Sequence, residues 1–358
     1  MSLDVCFVYQ WATYGGVERV FLNRARAFEA NGENVRIDVY YCADGGGLSA
    51  FVETIRLAGL ERIIRVVREF DAARYDIVFV IDTPEMLPVR PSGRAHWVVE
   101  CHTAYEVGRA YLDSLPPHVE EIVVPSHTFA RSLIAERPML DNRVRLLRNC
   151  VSPRIEVSPP KLPSWRRRSL LFFGRVDELK NPQGFLDILV ELERRQPGTY
   201  LGAIVGPEVP GYDLDGRIER TGLRGSVLRL PPLHFIKTSL FLAAWRCHGG
   251  VMVSPSRGES FGLAAAEAIA AGVPVLLSAI PAHSELLDGG IAHLYNPDDP
   301  IAGADRIEEM FRCYGEAAMR MGRCASKFDD AAFIGDWKLL IDDLGIRGMA
   351  SESLELNS

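Results

Sequence analysis

Residues 249–287 read GGVMVSPSRGESFGLAAAEAIAAGVPVLLSAIPAHSELL, and the order of residue types in this stretch decides the fold. Val251, Met252 and Val253 end a short apolar run that stops at Ser254-Pro255, the pattern of a buried strand feeding a polar loop. Leu263, Ala266 and Ala270 then recur at helical spacing, and Gly272 followed by Pro274 closes that helix. Val275 to Leu277 reads as a second buried strand. Strand, loop, helix and strand within about thirty residues make a βαβ unit. The loop 256–262 therefore lies at the carboxyl end of a parallel strand, where ligands gather in such sheets. Glu259 sits in that loop and Glu267 follows eight residues later, about two helical turns on. Ionised carboxylates only accept hydrogen bonds, so the two suit the paired hydroxyls of a sugar or ribose. The amides of Phe261, Gly262 and Leu263 at the helix start suit phosphate or sugar oxygens. Taken singly, Glu259 also reads as a loop cap and Glu267 as a solvated helix residue.

The run S-P-S-x-x-E-S-F-G with the A-G-V-P-V turn resembles the E-x7-E signature of the retaining GT-B glycosyltransferases, of the family 4 type (glycosyl transferases group 1). The resemblance implies an α/β chain of two Rossmann-like domains with parallel sheets facing a central cleft. It implies a nucleoside diphosphate sugar as donor, such as a UDP-, GDP- or dTDP-sugar, with no further cofactor and no metal.

Length and composition agree with this outline. At 358 residues the chain exceeds one average domain, so two domains of roughly 150 to 200 residues are expected. Hydrophobic residues make up 47% and charged ones 24%, the balance of a globular protein. A net charge of −7, with no dense basic patch beyond Trp165 to Arg168, argues against nucleic acid as a partner. The seven cysteines form no C-x2-C pair, which indicates neither a zinc site nor a disulfide framework and fits a reducing compartment. No signal peptide and no apolar run of about 18 residues is found, so the expected location is cytoplasmic.

The chain opens with a buried strand over residues 4–9, a loop over 10–16 and a helix whose Val17, Val20, Phe21, Ala25 and Phe28 share one face. Gly15 and Gly16 let the backbone approach a ligand, and Y-G-G-V-E-R-V is similar to the family's G-G-x-E loop beside the donor diphosphate. On that resemblance Gly15 and Gly16 are binding residues, with Glu18 beside them. Val35 to Tyr40 is a second strand, with a glycine turn over 44–47. Residues 51–70 read as a helix with Arg56, Arg62, Arg65 and Arg68 on a basic face, compatible with a membrane surface or with plain solvation. Further strands are read at 76–81, 95–99, 122–124 and 144–147. His102 follows the carboxyl end of one of them, and its position resembles the family histidine that reaches the donor sugar. The proline-rich, arginine-bearing segment 152–168 has linker composition. The expected domains are thus 1–155 on the acceptor side and 156–328 on the nucleotide-sugar side. A helix over about 329–345 packs back on the first domain, as the family resemblance implies.

A second motif follows the linker. After a strand over 169–173 comes Gly174-Arg175-Val176-Asp177-Glu178-Leu179-Lys180-Asn181-Pro182, which looks like the family's phosphate-binding Arg and Lys segment. Arg175 offers a planar two-point fork and Lys180 a compact charge, a pair suited to neutralising a diphosphate. Further strands are expected at 200–205 and 227–230, a hairpin-like turn and short strand after Leu287, and one or two amphipathic helices over 301–326. Asp213-Leu-Asp215 matches the D-x-D metal triplet of another glycosyltransferase class, but such triplets are common by chance.

The residues expected to carry the chemistry are therefore His102, Arg175, Lys180 and Glu259. The donor site adds Gly15, Gly16, Phe261, Gly262, Leu263 and Glu267. On the resemblance, Arg175 and Lys180 stabilise the leaving diphosphate, Glu267 holds the ribose, Glu259 the donor sugar, and His102 the sugar from the other domain. The acceptor is a hydroxyl on a glycan, glycolipid or natural product, including a lipid-linked glycan at the inner membrane face. A hydrolase would leave the cationic pair without a task. A non-hydrolysing nucleotide-sugar epimerase and a non-catalytic sugar-nucleotide-binding subunit remain as rivals.

Overall fold

The computed structural model describes residues 2–87, 91, 93–151, 166–287 and 290–346. The chain divides into two compact units, Met1–Ser152 with Phe328–Ser358, and Pro153–Lys327. In the first, the elements run β1 (Leu3–Ala12), α1 (Gly16–Ala30), β2 (Val35–Asp44), α2 (Leu48–Leu57), β3 (Ile64–Val67), β4 (Ile77–Ile81), β5 (His96–Glu100), β6 (Val119–Val124), α3 (His127–Glu136) and β7 (Val144–Leu146). Every described strand pairing is parallel, in the order β3-β2-β1-β4-β5-β6-β7. Val5, Cys6, Phe7 and Val8 in β1 and all five residues of β4 are buried, as a parallel sheet covered on both faces requires. Phe7 stacks on Phe21 of α1 with ring centroids 4.9 Å apart.

The second unit contains β8 (Arg168–Phe173), α4 (Pro182–Arg195), β9 (Tyr200–Val205), α5 (Leu214–Arg220), β10 (Val227–Leu230), α6 (Phe235–Cys247), β11 (Val251–Ser254), α7 (Leu263–Ala270), β12 (Val275–Ser278), α8 (Pro281–Leu286), β13 (Leu294–Tyr295), α9 (Pro300–Arg312) and α10 (Tyr314–Cys324). Its parallel order is β10-β9-β8-β11-β12-β13. Phe185, Ile188 and Leu189 of α4 join Leu170, Val251, Ala304 and Ile307 in its core. After it the chain returns to the first unit as α11 (Asp330–Asp343), where Phe333 and Trp337 lie 5.2 and 5.0 Å from Phe28. Asp336 accepts both the amide of Arg148, at 3.0 Å, and its guanidinium, and Val151 N–H donates to the Phe328 carbonyl.

Both sheets thus reverse direction once, between β1 and β4 and between β8 and β11. In open parallel sheets ligands bind at the carboxyl ends of the strands beside such a reversal. The loops beside these reversals are those after β1 and β4 in one unit and after β8 and β11 in the other, and His102 follows β5, the strand next to β4.

Four expectations change. The helix read over 51–70 ends at Leu57, because Gly59 takes a left-handed φ of +70°, and Ile64–Val67 forms the edge strand β3. The basic helical face therefore does not exist: Arg65 on β3 forms a two-point pair with Asp38 of β2, and Arg56 pairs with Glu53 on α2. The membrane reading built on that face falls with it. The strands β1 and β2 also run on to Ala12 and Asp44, where loops were expected, with Ala12 opposite Asp44. Near Leu294 the chain forms no hairpin: β13 lies parallel to β12. The linker residues 152–165 lie outside the described part. No helix among the described residues is long and apolar enough to cross a membrane.

Candidate functional site

The turn after β1 is shaped by Glu18. Its carboxylate, fully buried on α1, accepts the amides of Thr13 at 3.0 Å and Gly15 at 2.7 Å. Gly15 N–H is therefore committed inside the protein and does not face a phosphate. The left-handed residue of the turn is Tyr14, at φ 59°, rather than either glycine, and its hydroxyl meets Thr54 at 2.9 Å. A Cβ on Gly16 would meet nothing within 4 Å, so this position leaves the helix start open. The amides of Gly45 and Gly47 both donate to the Ala12 carbonyl, which ties the second glycine turn to the first. A side chain at Gly47 would overlap the Tyr14 amide nitrogen.

His102 lies two residues beyond the last residue of β5. Its Nε2 meets Glu100 Oε1 at 2.5 Å, and its amide donates to Asp82 at 3.0 Å.

In the second unit the loops after β8 and β11 interlock. Asn181, at a left-handed φ of 54°, accepts the Gly184 amide to cap α4, and its side-chain NH2 donates to the Pro255 carbonyl at 3.0 Å. Arg257 N–H donates to the Leu179 carbonyl at 2.8 Å. Asp177 accepts the Lys180 amide at 2.8 Å and pairs with Arg175 Nε. This brace brings Lys180 Nζ to 2.6 Å from both oxygens of Glu259, 79 residues away in sequence. The Ser256 hydroxyl donates to the same carboxylate at 2.8 Å. Burial pushes Glu259 up, but the Lys180 ammonium and the Ser256 hydroxyl hold it below the usual carboxylate range. Glu259 and Lys180 are thus a coupled, charged pair. Arg175 stays nearly half exposed, at 47%, at the carboxyl end of β8.

Gly262 turns the chain into α7 at a φ of +91° and brings no capping side chain. The first-turn amides of a helix are a general site for an anionic ligand. Phe261 is buried beside this turn, Leu263 begins the helix, and Glu267 is buried within it, only 7% exposed and so not a solvated residue. The structure thus gathers Arg175, Lys180, Glu259 and the start of α7 at one sheet reversal, and carries Gly15, Gly16 and His102 in the other unit.

His283 on α8 escaped the sequence reading, because a lone histidine in an apolar turn carries no signal. It is wholly buried beneath the Gly262 turn: a Cβ on Gly262 would lie 3.3 Å from the ring. Its Nδ1 donates to the Ser278 carbonyl at 3.1 Å, while Nε2 has no partner among the described residues. Burial lowers its pKa to about 4. An unfolded histidine titrates near 6.5. Between those values protons bind the unfolded chain first, so stability is full above pH 6.5 and falls as the pH drops to about 4. The expected loss is on the order of 3 kcal/mol across that window. Denaturant titrations at pH 7.5 and 4.5 check it, and His283→Gln is expected to flatten the slope.

Asp213 and Asp215, the D-x-D pair, have structural tasks. Asp213 caps α5 through the Gly216 amide, and Asp215 pairs with Arg229. A cavity of about 430 Å³ opens at the amino ends of β1 to β3, lined by Asp4, Arg36, Asp38, Arg62, Arg65 and Tyr75 among others. No motif residue lines it.

Residues 167–312 match the family model described as "Glycosyl transferases group 1". The chain is similar to a D-inositol 3-phosphate glycosyltransferase of Paenarthrobacter aurescens (strain TC1), 34% identical over 199 residues, which are 48% of this chain and 47% of that protein. A protein of the same name from Arthrobacter sp. (strain FB24) is 32% identical over 223 residues, covering 55% and 51%. The chain spans about half the length of these curated relatives. Among solved structures, Anabaena HepE in complex with UDP and glucose aligns with a TM-score of 0.74 at 17% identity, covering 96% of this chain and all of that one. Sucrose-phosphate synthase from Thermosynechococcus elongatus aligns at 0.70 and 16%, covering 96% and 99%. The fold is GT-B, as the sequence resemblance implied.

Proposed function

We propose that this GT-B chain, whose residues 167–312 match the glycosyl transferases group 1, moves a hexose from a nucleoside diphosphate sugar to a hydroxyl acceptor. It retains the anomeric configuration and uses no metal. The observation that carries the reading is the placement of Arg175, Lys180 and the start of α7 with Glu259 at one sheet reversal. A nucleoside diphosphate leaves with developing negative charge, and fixed cations and amides aimed at that charge lower the barrier. Lys180 is suited to this because Glu259 already fixes its ammonium, so little reorganisation accompanies the reaction. Of its three donors, two point at Glu259 and one remains for a phosphate oxygen. Glu259 and Glu267 act as hydroxyl binders rather than as an acid and base pair. Retention follows when the acceptor attacks the face from which the diphosphate departs and a phosphate oxygen takes the acceptor proton. On this reading His102 meets the donor sugar.

The UDP and glucose held by the Anabaena structure make UDP-sugars the first donors to assay, and the names of the curated relatives put phosphorylated polyols among the first acceptors. Thermal-shift screening against UDP, GDP, dTDP and ADP, then their sugars, identifies the donor. Transfer is then followed by NMR, with the product anomer matching that of the donor. Activity is expected to survive a chelator. Complete loss that Mg²⁺ restores would overturn the metal-free mechanism, and conversion of the sugar without an acceptor would favour the epimerase reading.

A further inference from the structure

Arg24 on α1 and Glu100 at the end of β5 are each only 1% exposed. Arg24 Nη1 donates to Glu100 Oε2 at 2.9 Å and Nη2 to Oε1 at 2.6 Å. The guanidinium lies 5.6 Å from the ring centroids of both Phe7 and Phe333. Removing two ions from water costs more than such a pair commonly returns, and an apolar pair of the same shape often holds a core as well. The position of these charges calls for a task other than stability.

The third member of the group supplies one. Glu100 Oε1, already bonded to Arg24, also meets His102 Nε2 at 2.5 Å. Burial opposes the charge on Glu100, but Arg24 and His102 hold its pKa down at about 2. An ionised carboxylate only accepts, so His102 Nε2 carries the hydrogen. The ring's other nitrogen, Nδ1, has no partner among the described residues. The backbone at the same residue is pinned by Asp82, which accepts the His102 amide at 3.0 Å and the Tyr111 hydroxyl at 3.3 Å. Ring and main chain are therefore fixed independently.

We infer that Arg24 and Glu100 are positioning residues that hold His102 as its Nε2–H tautomer, so that Nδ1 accepts a hydrogen bond from a hydroxyl of the bound sugar. The sugar half of this statement rests on the glycosyltransferase reading; the tautomer half does not. Arg24 donates only, and Glu100 supplies both its acceptors and that of His102. Replacing Glu100 by glutamine leaves one oxygen and one NH2 where two oxygens stood. The new amide cannot accept from both neighbours without setting a donor against a donor. His102 then exchanges into the Nδ1–H form, and Nδ1 is lost as an acceptor.

Long-range ¹H–¹⁵N spectra of the full chain with ¹⁵N-histidine read the tautomer directly, with His102→Asn assigning the signal among eight histidines. The expected result is Nε2–H in the unaltered protein, a shift towards Nδ1–H in Glu100→Gln, and retention of Nε2–H in Arg24→Lys. Transfer by Glu100→Gln is expected to fall at least about tenfold, the scale of a lost orienting carboxylate. Combining it with His102→Asn should add no further loss. An Nδ1–H tautomer in the unaltered protein overturns the inference, even if Glu100→Gln does not fold. So does an unshifted tautomer in Glu100→Gln, or a double variant whose loss is the product of the single ones. If the tautomers behave as expected but no donor gives transfer, the glycosyltransferase reading and the sugar half fail while the positioning half stands.

Discussion

Lys180→Ala is expected to lower transfer by about 10³-fold or more, close to 4 kcal/mol of transition-state stabilisation, while the second unit stays folded. The ammonium bonds both oxygens of Glu259 and is the better shielded of the two cations in this loop, with 25% of its side chain exposed against 47% for Arg175. Its removal acts twice. The leaving diphosphate loses a fixed charge, and Glu259, 10% exposed, is left with its burial uncompensated. The carboxylate pKa then rises, so any remaining activity should show a dependence on pH that the unaltered protein lacks in the acid range. Glu259→Ala removes the other partner and should also abolish transfer. Circular dichroism and steady-state kinetics on both variants check this. Full turnover in both would remove these residues from the site.

Gly206→Ala should be the most damaging small change to the framework beneath that site. Gly206 follows β9 at a φ of +147°, a region where L side chains are strained, and an added Cβ would overlap the carbonyl oxygen of Gly174. Relief would require the turn bearing Arg175 to move. That turn is stitched to the same segment, since Gly174 N–H donates to Val205 and Val176 N–H to Pro207. Backbone strain and overpacking together are expected to cost about 3 kcal/mol or more. For a unit of this size that lowers the melting temperature by roughly 6–12 °C. Gly225→Ala, where the added atom meets nothing within 4 Å, is the control and should melt within about 2 °C of the parent. Equal melting of the two variants would refute the account.

The βαβ unit at 251–278 was legible because buried parallel strands appear as short, unbroken apolar runs and because Gly272 and Pro274 mark the end of the helix. The first strand and α1 were read for the same reason. Residues 51–70 misled because Ile55, Ile63, Ile64 and Val67 fit a helical stripe, while a four-residue edge strand is too short to establish its own alternation. Gly59 was the available signal. Charge partners were the hardest to read. Nothing in the sequence joins Arg24 to Glu100, or Lys180 to Glu259, since each pair meets only after the sheet has brought distant loops together. For the same reason Glu18 was read as a ligand residue, whereas its carboxylate is spent on the turn's own amides.

The return of α11 to the first unit fixes an order of events during synthesis. A ribosome releases β1 to β7 first, yet Phe28 finds Phe333 and Trp337, and Arg148 finds Asp336, only after the whole second unit has emerged. The second unit, contiguous in sequence, has all its pieces in hand earlier. The half that is translated first is therefore the half completed last, and until then the apolar surface around Phe28 stands open to chaperones and to other nascent chains.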